Sequence, residues 1–390
     1  MGVKFSILVP TYNRPTYLAQ ALETVQRQRN VQTEIFVLDD ASAEPASIVC
    51  ERFSDLNLRC IRFHENVHVS VMHESILDEV SGDVLFILED DNGLAPNVLE
   101  IIGNIFKTHS EINVLGTGFV LYDHSSGKMR PKNGRTCFSG ELASYDTRQY
   151  MLKSCASCGI GPYHAYTQPP MDHVSATFCA VRFVKQYHKE SGPLFIPPAG
   201  DYRMRFHLAA KRFYYYDVPA CYIGVHSGQA TNTRDKNSRL RLVNGSWAKN
   251  YKIESSPLKR SMTFPNISAD WVLRDAFHAG LLRPSISLFS PAFYRSHIEQ
   301  ILSDSPWTRR TVADLIEALP RATLSYALHL PLRRWVAQLR KLIAEPRTVL
   351  HNRLRARPDA APANWPVCSS PLQAAEWVRR NLWPPQTDHF

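Results

Sequence analysis

No apolar run in this sequence reaches the roughly 18 residues that a membrane-spanning helix requires, and the chain opens on a strand-like segment where an export signal would place charges before an apolar stretch. These two lacks predict a chain that neither spans a membrane nor enters the secretory route. No Gly-x-Gly-x-x-Gly follows the first apolar strand and no Gly-Lys-Ser/Thr loop occurs, so the usual dinucleotide and P-loop devices for holding phosphate are missing. Cysteine is sparse: Cys50, Cys60, Cys137, Cys155, Cys158, Cys179, Cys221 and Cys368 are scattered through 390 residues. That distribution predicts reduced thiols in a cytoplasmic setting, not a disulfide framework. Cys155 and Cys158 form the one close pair. Without a second Cys or His pair at suitable spacing they read as loop thiols and not as a zinc site.

What is present is core material. Hydrophobic residues make up 44% of the chain, with 18 Phe, 16 Tyr and 7 Trp, enough for one large domain or two ordinary ones and incompatible with a disordered or collagen-like class. The net charge of +9 is concentrated. Between Pro331 and Arg357, eight basic residues stand against Glu345 alone, a local +7. A cluster of this kind points to one anionic partner, whereas general nucleic-acid binding would spread the charge.

The first half alternates strands and helices. Phe5 to Pro10 is a short apolar run, followed by the polar loop Thr11-Tyr12-Asn13-Arg14-Pro15 and by Leu18, Leu22 and Val25 at helical spacing behind a proline suited to a first helical turn. Ile35 to Leu38 reads as a second strand ending in Asp39-Asp40, Leu58 to Phe63 as a third, and Val84 to Leu88 as a fourth ending in Glu89-Asp90-Asp91-Asn92. Strands joined by helical crossovers pair in parallel, and ligands of such sheets collect at the carboxyl ends. Thr11, Asp39, Asp40, Glu89, Asp90 and Asp91 all fall there. Three adjacent acids repel one another unless a cation or sugar hydroxyls satisfy them, and Mg²⁺ or Mn²⁺ would accept their oxygens while leaving positions for a diphosphate. The plainer alternative is a solvated cap for the helix carrying Val98, Leu99, Ile102 and Phe106, although a cap needs only one acid.

Val9 to Arg14, Val37 to Ser42 and Phe86 to Asn92, in this order and spacing, resemble the family 2 glycosyltransferases of GT-A fold, over about residues 3 to 230. The resemblance implies a Rossmann-like α/β mixed sheet flanked by helices, and a nucleotide-sugar donor held by Pro10, Thr11, Asn13, Asp39, Asp40, His73, Glu89 and Asp90. Asp91, with His226 of the Tyr222 to Gly228 segment, would hold Mn²⁺ or Mg²⁺. In the family an acid opening a later helix acts as base on the acceptor hydroxyl, which maps onto Asp201 of Ala199-Gly200-Asp201-Tyr202. The implied reaction is inverting and metal-dependent: one sugar passes from a nucleoside-diphosphate sugar, most often a UDP-sugar, to a glycan or lipid-linked acceptor. The sequence departs from the family at Glu89, at His73 in place of a common arginine, and at Gly200 in place of a glutamate. A catalytically silent nucleotide-sugar-binding protein on the same scaffold is therefore the alternative.

The implied organisation is a catalytic domain over residues 1–230, divided into a nucleotide-sugar half (1–120) and an acceptor half (121–230). A linker or lid (231–250) and a mostly helical C-terminal region (251–390) follow. In that last region Leu332, Trp335, Val336, Leu339 and Leu342 share one helical face ringed by Arg333, Arg334, Arg340 and Lys341. Such a face suits either an anionic membrane surface, giving a cytoplasmic protein peripheral to the inner face of a membrane, or packing against the catalytic domain.

Overall fold

The computed structural model describes residues 2–67, 69–131, 137–150, 176–191, 209–226 and 365–383, with Glu254, Asp270, Leu273, Arg274 and Phe277. The chain forms two compact units: Met1–Thr147, Gln168–Asn232 and Trp365–Phe390 make the first, Arg148–Thr167 and Thr233–Asn364 the second. In the second, Asp270 is fully buried, accepts from the backbone N–H of Glu254 at 3.0 Å and pairs with Arg274 one turn on at 3.1 Å.

The first unit is built on one mixed sheet. Strand β1 (Lys4–Thr11) leads into helix α1 (Pro15–Gln26), then β2 (Gln32–Asp39), the short helix α2 (Ser47–Cys50), β3 (Leu58–Arg62), α3 (Val69–Ser75) and β4 (Val84–Ile87). There follow β5 (Gly93–Leu94), α4 (Val98–Thr108), β6 (Val114–Asp123), β7 (Met129–Pro131), β8 (Leu142–Asp146), β9 (Thr177–Ala180), α5 (Val181–Ser191), β10 (Arg212–Val225) and α6 (Pro371–Leu382). The strand order is β3-β2-β1-β4-β9-β6-β10-β5, with β7 beside β6 and β8 beside β10. Strands β3, β2, β1 and β4 run parallel, as the crossovers require, and β9 enters antiparallel between β4 and β6. The α/β class and the mixed sheet flanked by helices are thus observed.

Local chemistry explains the leading elements. Apolar residues with few helix formers make β1, and Pro15 begins α1 with its fixed φ and missing donor. Leu18, Leu22 and Val25 then fall on the buried face, each contributing roughly 1.5 to 3 kcal/mol by leaving water. Helix α4 buries Val98, Leu99, Ile102, Ile105 and Phe106 in the same core.

Register then sets the site. Thr11 is level with Asp39 in the β1–β2 ladder. Leu8 is level with Ile87 in β1–β4, so Thr11 and Asp90, each three residues further on, arrive side by side.

Residues 365–383 group by sequence with the C-terminal helices, but the structure packs them on the sheet of the first unit. Ser370 caps α6 by accepting from Gln373 N–H at 3.2 Å, and the Gln373 side chain accepts in return from Ser369 N–H at 2.6 Å, a reciprocal cap. Trp383 is buried, donates its indole N–H to the Pro219 carbonyl at 3.2 Å and lies under the Arg379 guanidinium at 4.3 Å. Upstream, Cys368 N–H bonds the Gly127 carbonyl at 2.8 Å. Gly127 has φ +66, and a Cβ there would run into the Cys368 carbonyl oxygen, so this contact admits only glycine. Cys50, Cys60, Cys179 and Cys368 are free thiols. Cys155 and Cys158, the lid segment and the basic 331–357 segment lie outside the described residues. Among the described residues no helix is long and apolar enough to cross a membrane.

Candidate functional site

The site lies at the carboxyl ends of β1, β2, β4, β6 and β10. Its centre is the turn Glu89-Asp90-Asp91-Asn92 after β4. Asp90 and Asp91 are 3% and 5% exposed, so two neighbouring carboxylates sit in a poorly solvated place. Asp90 accepts from Thr11 Oγ1 at 2.8 Å and from Arg14 Nη1 at 3.1 Å. Burial first, and then the adjacent Asp91, push the Asp90 pKa up to about 6 against the pull of Arg14 and Thr11. Burial also works against the charge on Arg14, yet Asp90 and Asp91 outweigh it and raise the guanidinium pKa.

Asp91 is held from the other half of the sheet. Its Oδ2 lies 3.1 Å from Nε2 of His226, the residue after β10, and 3.5 Å from Arg14 Nη1. Its backbone carbonyl lies 2.8 Å from Nε2 of His124, the residue after β6. Burial lowers the His124 pKa, offset only in part by the bond to Asp91, so the neutral ring donating from Nε2 to that carbonyl is the consistent tautomer. Tyr17, from the first turn of α1, sets its ring 4.6 Å from that of His124 and 4.7 Å from that of His226. Asn92 accepts from Gly224 N–H at 2.9 Å and donates to Glu89 Oε2 at 3.0 Å, pinning the turn to β10.

The β2 end is built differently. Asp39 is fully buried, and its two carboxylate oxygens accept from Ser42 N–H at 2.9 Å and Ala46 N–H at 3.0 Å. It therefore shapes the loop after β2. Asp40 receives Asn66 Nδ2 at 2.7 Å and Val67 N–H at 2.6 Å. Asn13, at φ +55, joins the loops after β1 and β2: its N–H donates to Ser42 Oγ at 2.9 Å and its side chain accepts from Ala43 N–H at 2.7 Å. Pro10 is buried in β1. His73 is buried with no exposure on α3, and its neighbour Glu74 pairs with His188 at 2.8 Å. Asp201 lies outside the described residues.

The structure therefore brings Thr11, Glu89, Asp90, Asp91 and His226 into one cluster, with Asp39, Asp40 and Asn13 forming the adjacent loop. Sequence reasoning missed Arg14, Tyr17 and His124. Arg14 stood in the quoted loop motif without a role. His124 and Tyr17 follow no motif: His124 meets His226 only through the β6–β10 register, in which Val225 is level with Asp123, and Tyr17 on α1 gains its role from the two rings it faces.

For a divalent ion the donor set is suitable but incomplete. Two ligands on adjacent corners of an octahedron with bonds of 2.0 to 2.1 Å stand roughly 3 Å apart, and Asp91 Oδ2 and His226 Nε2 are 3.1 Å apart. Among the described residues no group of three His, Cys, Asp or Glu converges on one metal position, so a bound ion would take its other ligands from water or from a ligand's phosphates.

In an open α/β sheet ligands bind outside the carboxyl ends of the strands, and this cluster of carboxylates sits at that edge. Residues 6–173 match the family model Glycosyl transferase family 2. Among curated proteins, an uncharacterized glycosyltransferase, YwdF, of Bacillus subtilis is 31% identical over 145 residues, 37% of this chain and 50% of that one. The minor teichoic acid biosynthesis protein GgaA of the same organism is 29% identical over 118 residues, 28% of this chain and 26% of its own. Among solved structures, TarS 1–349 of S. aureus in complex with UDP-GlcNAc is 15% identical, with a TM-score of 0.47 over 85% of this chain and 89% of that one. The matched segments span 14%, 50% and 26% of the length of three curated relatives.

Proposed function

We propose that the chain is an inverting glycosyltransferase that moves one sugar from a nucleoside-diphosphate sugar, a UDP-sugar in the first instance, to a hydroxyl of a glycan or lipid-linked acceptor. The observation that carries this reading is the convergence on Asp90-Asp91 of Thr11, Arg14, His124 and His226 from four separate elements. A turn held from both halves of the sheet offers fixed oxygens to a cation and an adjacent loop to a nucleotide.

In this reading the loops carrying Thr11, Asn13, Asp39 and Asp40 shape the donor pocket, and Asp91 with His226 holds Mn²⁺ or Mg²⁺. Such an ion, when bound, neutralises charge developing on the diphosphate leaving group. Asp90, fixed by Thr11, would orient the donor ribose or a water on the ion. Asp201 takes the proton of the acceptor hydroxyl as its oxygen bonds to the anomeric carbon, while the bond from that carbon to the diphosphate oxygen breaks on the opposite face. The nucleoside diphosphate departs with the electron pair and the configuration inverts. The basic segment 331–357 would hold the protein at an anionic membrane surface, where lipid-linked acceptors reside.

Nucleotide-sugar hydrolysis and transfer, measured with and without Mn²⁺, test the reading. Asp91→Asn is expected to abolish metal-dependent turnover and donor hydrolysis. Asp201→Asn is expected to spare donor binding and remove transfer. Near-normal transfer by Asp201→Asn would overturn the base assignment, and nucleotide binding without turnover by the unaltered chain would identify a silent binder.

A further inference from the structure

Two carboxylates as buried as Asp90 and Asp91 cannot both keep their charge beside each other without a cation. In this chain the cation is already present. Arg14 Nη1 lies 3.1 Å from Asp90 Oδ1 and 3.5 Å from Asp91 Oδ2, and its side chain keeps 31% of its surface exposed. The backbone fixes its origin. Arg14 precedes Pro15, which disfavours helical geometry for it, and its φ of −134 and ψ of 55 set it at the mouth of α1, with its carbonyl accepting from Leu18 N–H at 3.0 Å. The guanidinium therefore reaches the acid turn from a rigid helix entrance along a path open to solvent.

Asp91 Oδ2 is also the oxygen that faces His226 at 3.1 Å. A divalent ion on that oxygen and the guanidinium 3.5 Å from it would repel each other within one crowded, poorly solvated space. We propose that Arg14 is a built-in counter-ion of the acid turn. It must leave Asp91 when a divalent ion enters, and its freed guanidinium then takes the donor's diphosphate, so that metal binds poorly alone and well together with a nucleoside diphosphate. The proposal rests on the reading of Asp91 as a metal ligand and adds an order of loading to it: ion and donor enter as a pair. Arg14 acts here as a positioning and gating residue, and its planar fork suits both a carboxylate and a diphosphate.

The test is calorimetric titration of Mn²⁺ into the whole 390-residue chain, with and without saturating UDP, on the parent and on Arg14→Gln, Arg14→Lys and Asp91→Asn. Circular dichroism checks each fold. Arg14→Gln is expected to bind Mn²⁺ alone about tenfold tighter than the parent, the change carried by one charge-assisted bond, and to lose most of the mutual enhancement between Mn²⁺ and UDP. Arg14→Lys, with one point donor in place of the fork, should fall between the two, and it carries the test should the glutamine variant not fold. A residue that merely braced the turn would move Mn²⁺ affinity the other way when removed. If neither Arg14 variant binds Mn²⁺ alone more tightly than the parent while Asp91→Asn loses Mn²⁺ binding, the counter-ion role is wrong and the metal reading stands. If Asp91→Asn binds Mn²⁺ like the parent, the metal reading fails and this inference falls with it.

Discussion

Replacing Gly224 by alanine adds one methyl group at the tightest point of the acid turn. A Cβ at that position would lie 2.0 Å from the backbone oxygen of Asp91 and 2.5 Å from Nε2 of His124, the two atoms that bond each other at 2.8 Å. Carbon makes its best contacts at about 3.5 Å, so the turn and β10 must separate by more than about 1 Å. Strand β10 cannot supply that movement cheaply, because Gly224 and Val225 are laddered to Tyr122 and Asp123 of β6 and Gly224 N–H bonds Asn92 Oδ1 at 2.9 Å. The displacement therefore falls on Asp91. Overpacking of this kind costs roughly 1 to 3 kcal/mol of stability, which leaves the fold intact with a modest drop in melting temperature. A shift of about 1 Å in a reacting group costs on the order of a hundredfold in rate. Gly224→Ala is thus expected to melt a few degrees lower and to lose about two orders of magnitude in Mn²⁺-dependent donor hydrolysis. Gly103→Ala in α4 is the matched control, since its Cβ would meet Phe5 and Val3 at an ordinary 3.4 Å, and alanine favours a helix by up to about 1 kcal/mol. Hydrolysis by Gly224→Ala within about threefold of the parent would refute the claim that the Asp91–His124 contact fixes the site.

Three further outcomes follow from the same packing. Tyr17→Ala, which takes away the ring between His124 and His226, is expected to weaken Mn²⁺ binding several-fold, as about 1 kcal/mol of ring contact would, whereas Tyr17→Phe should match the parent in the same titration. Trp383→Ala opens a cavity against β10 and removes the bond to Pro219; at about 3 to 5 kcal/mol it should lower the melting temperature by on the order of 10 °C in a calorimetric scan. Glu34, paired with Lys4 and bonded by Ser6, Ser81 and Gly82, is held down to about 2 because these donors outweigh its burial. Its folded pKa lies below its ordinary value of 4.5, so its contribution, on the order of 3 kcal/mol, is present above about pH 4.5 and is lost as pH falls toward 2. Glu34→Gln should remove that part of the acid dependence, seen as a flatter plot of unfolding free energy against pH between those values.

The half of the sheet made by β1, β2, β3 and β4 was legible because its signals are local. A short apolar run, a polar loop, a proline and a helical repeat each depend on neighbours a few residues away, and the acids fall at strand ends whatever the partners are. The other half depends on pairings between distant segments. Nothing local says that Thr177–Ala180 will insert antiparallel between β4 and β6, or that β10 will shift register around Pro219 and still bring His226 level with the end of β6. Helix α6 illustrates the same limit, since its caps can be read from Ser370 and Gln373 but the surface it covers cannot. His124 and Tyr17 escaped for that reason. Arg14 escaped for another: its role comes from what faces it, and a lone arginine in a polar loop ordinarily faces water. Asp39 shows the reverse case, a strand-end acid whose two oxygens are engaged by the amides of its own loop.

The two ends of this sheet treat buried carboxylates in opposite ways, and the difference separates structure from site. At the amino end, Glu34 meets an ammonium, two hydroxyls and two backbone amides, and its charge is stabilised despite burial. At the carboxyl end, Asp90 is more completely buried and sits beside a second acid, with Thr11 and Arg14 as its donors. There the charge is held against its surroundings, and the pKa moves up where that of Glu34 moves down. A sequence able to satisfy one buried carboxylate so fully has the means to satisfy another. That it leaves Asp90 charged against its surroundings even beside Arg14, and spends Tyr17, His124, His226 and the bare Gly224 on fixing the turn in place, fits a turn built for a ligand more than for stability.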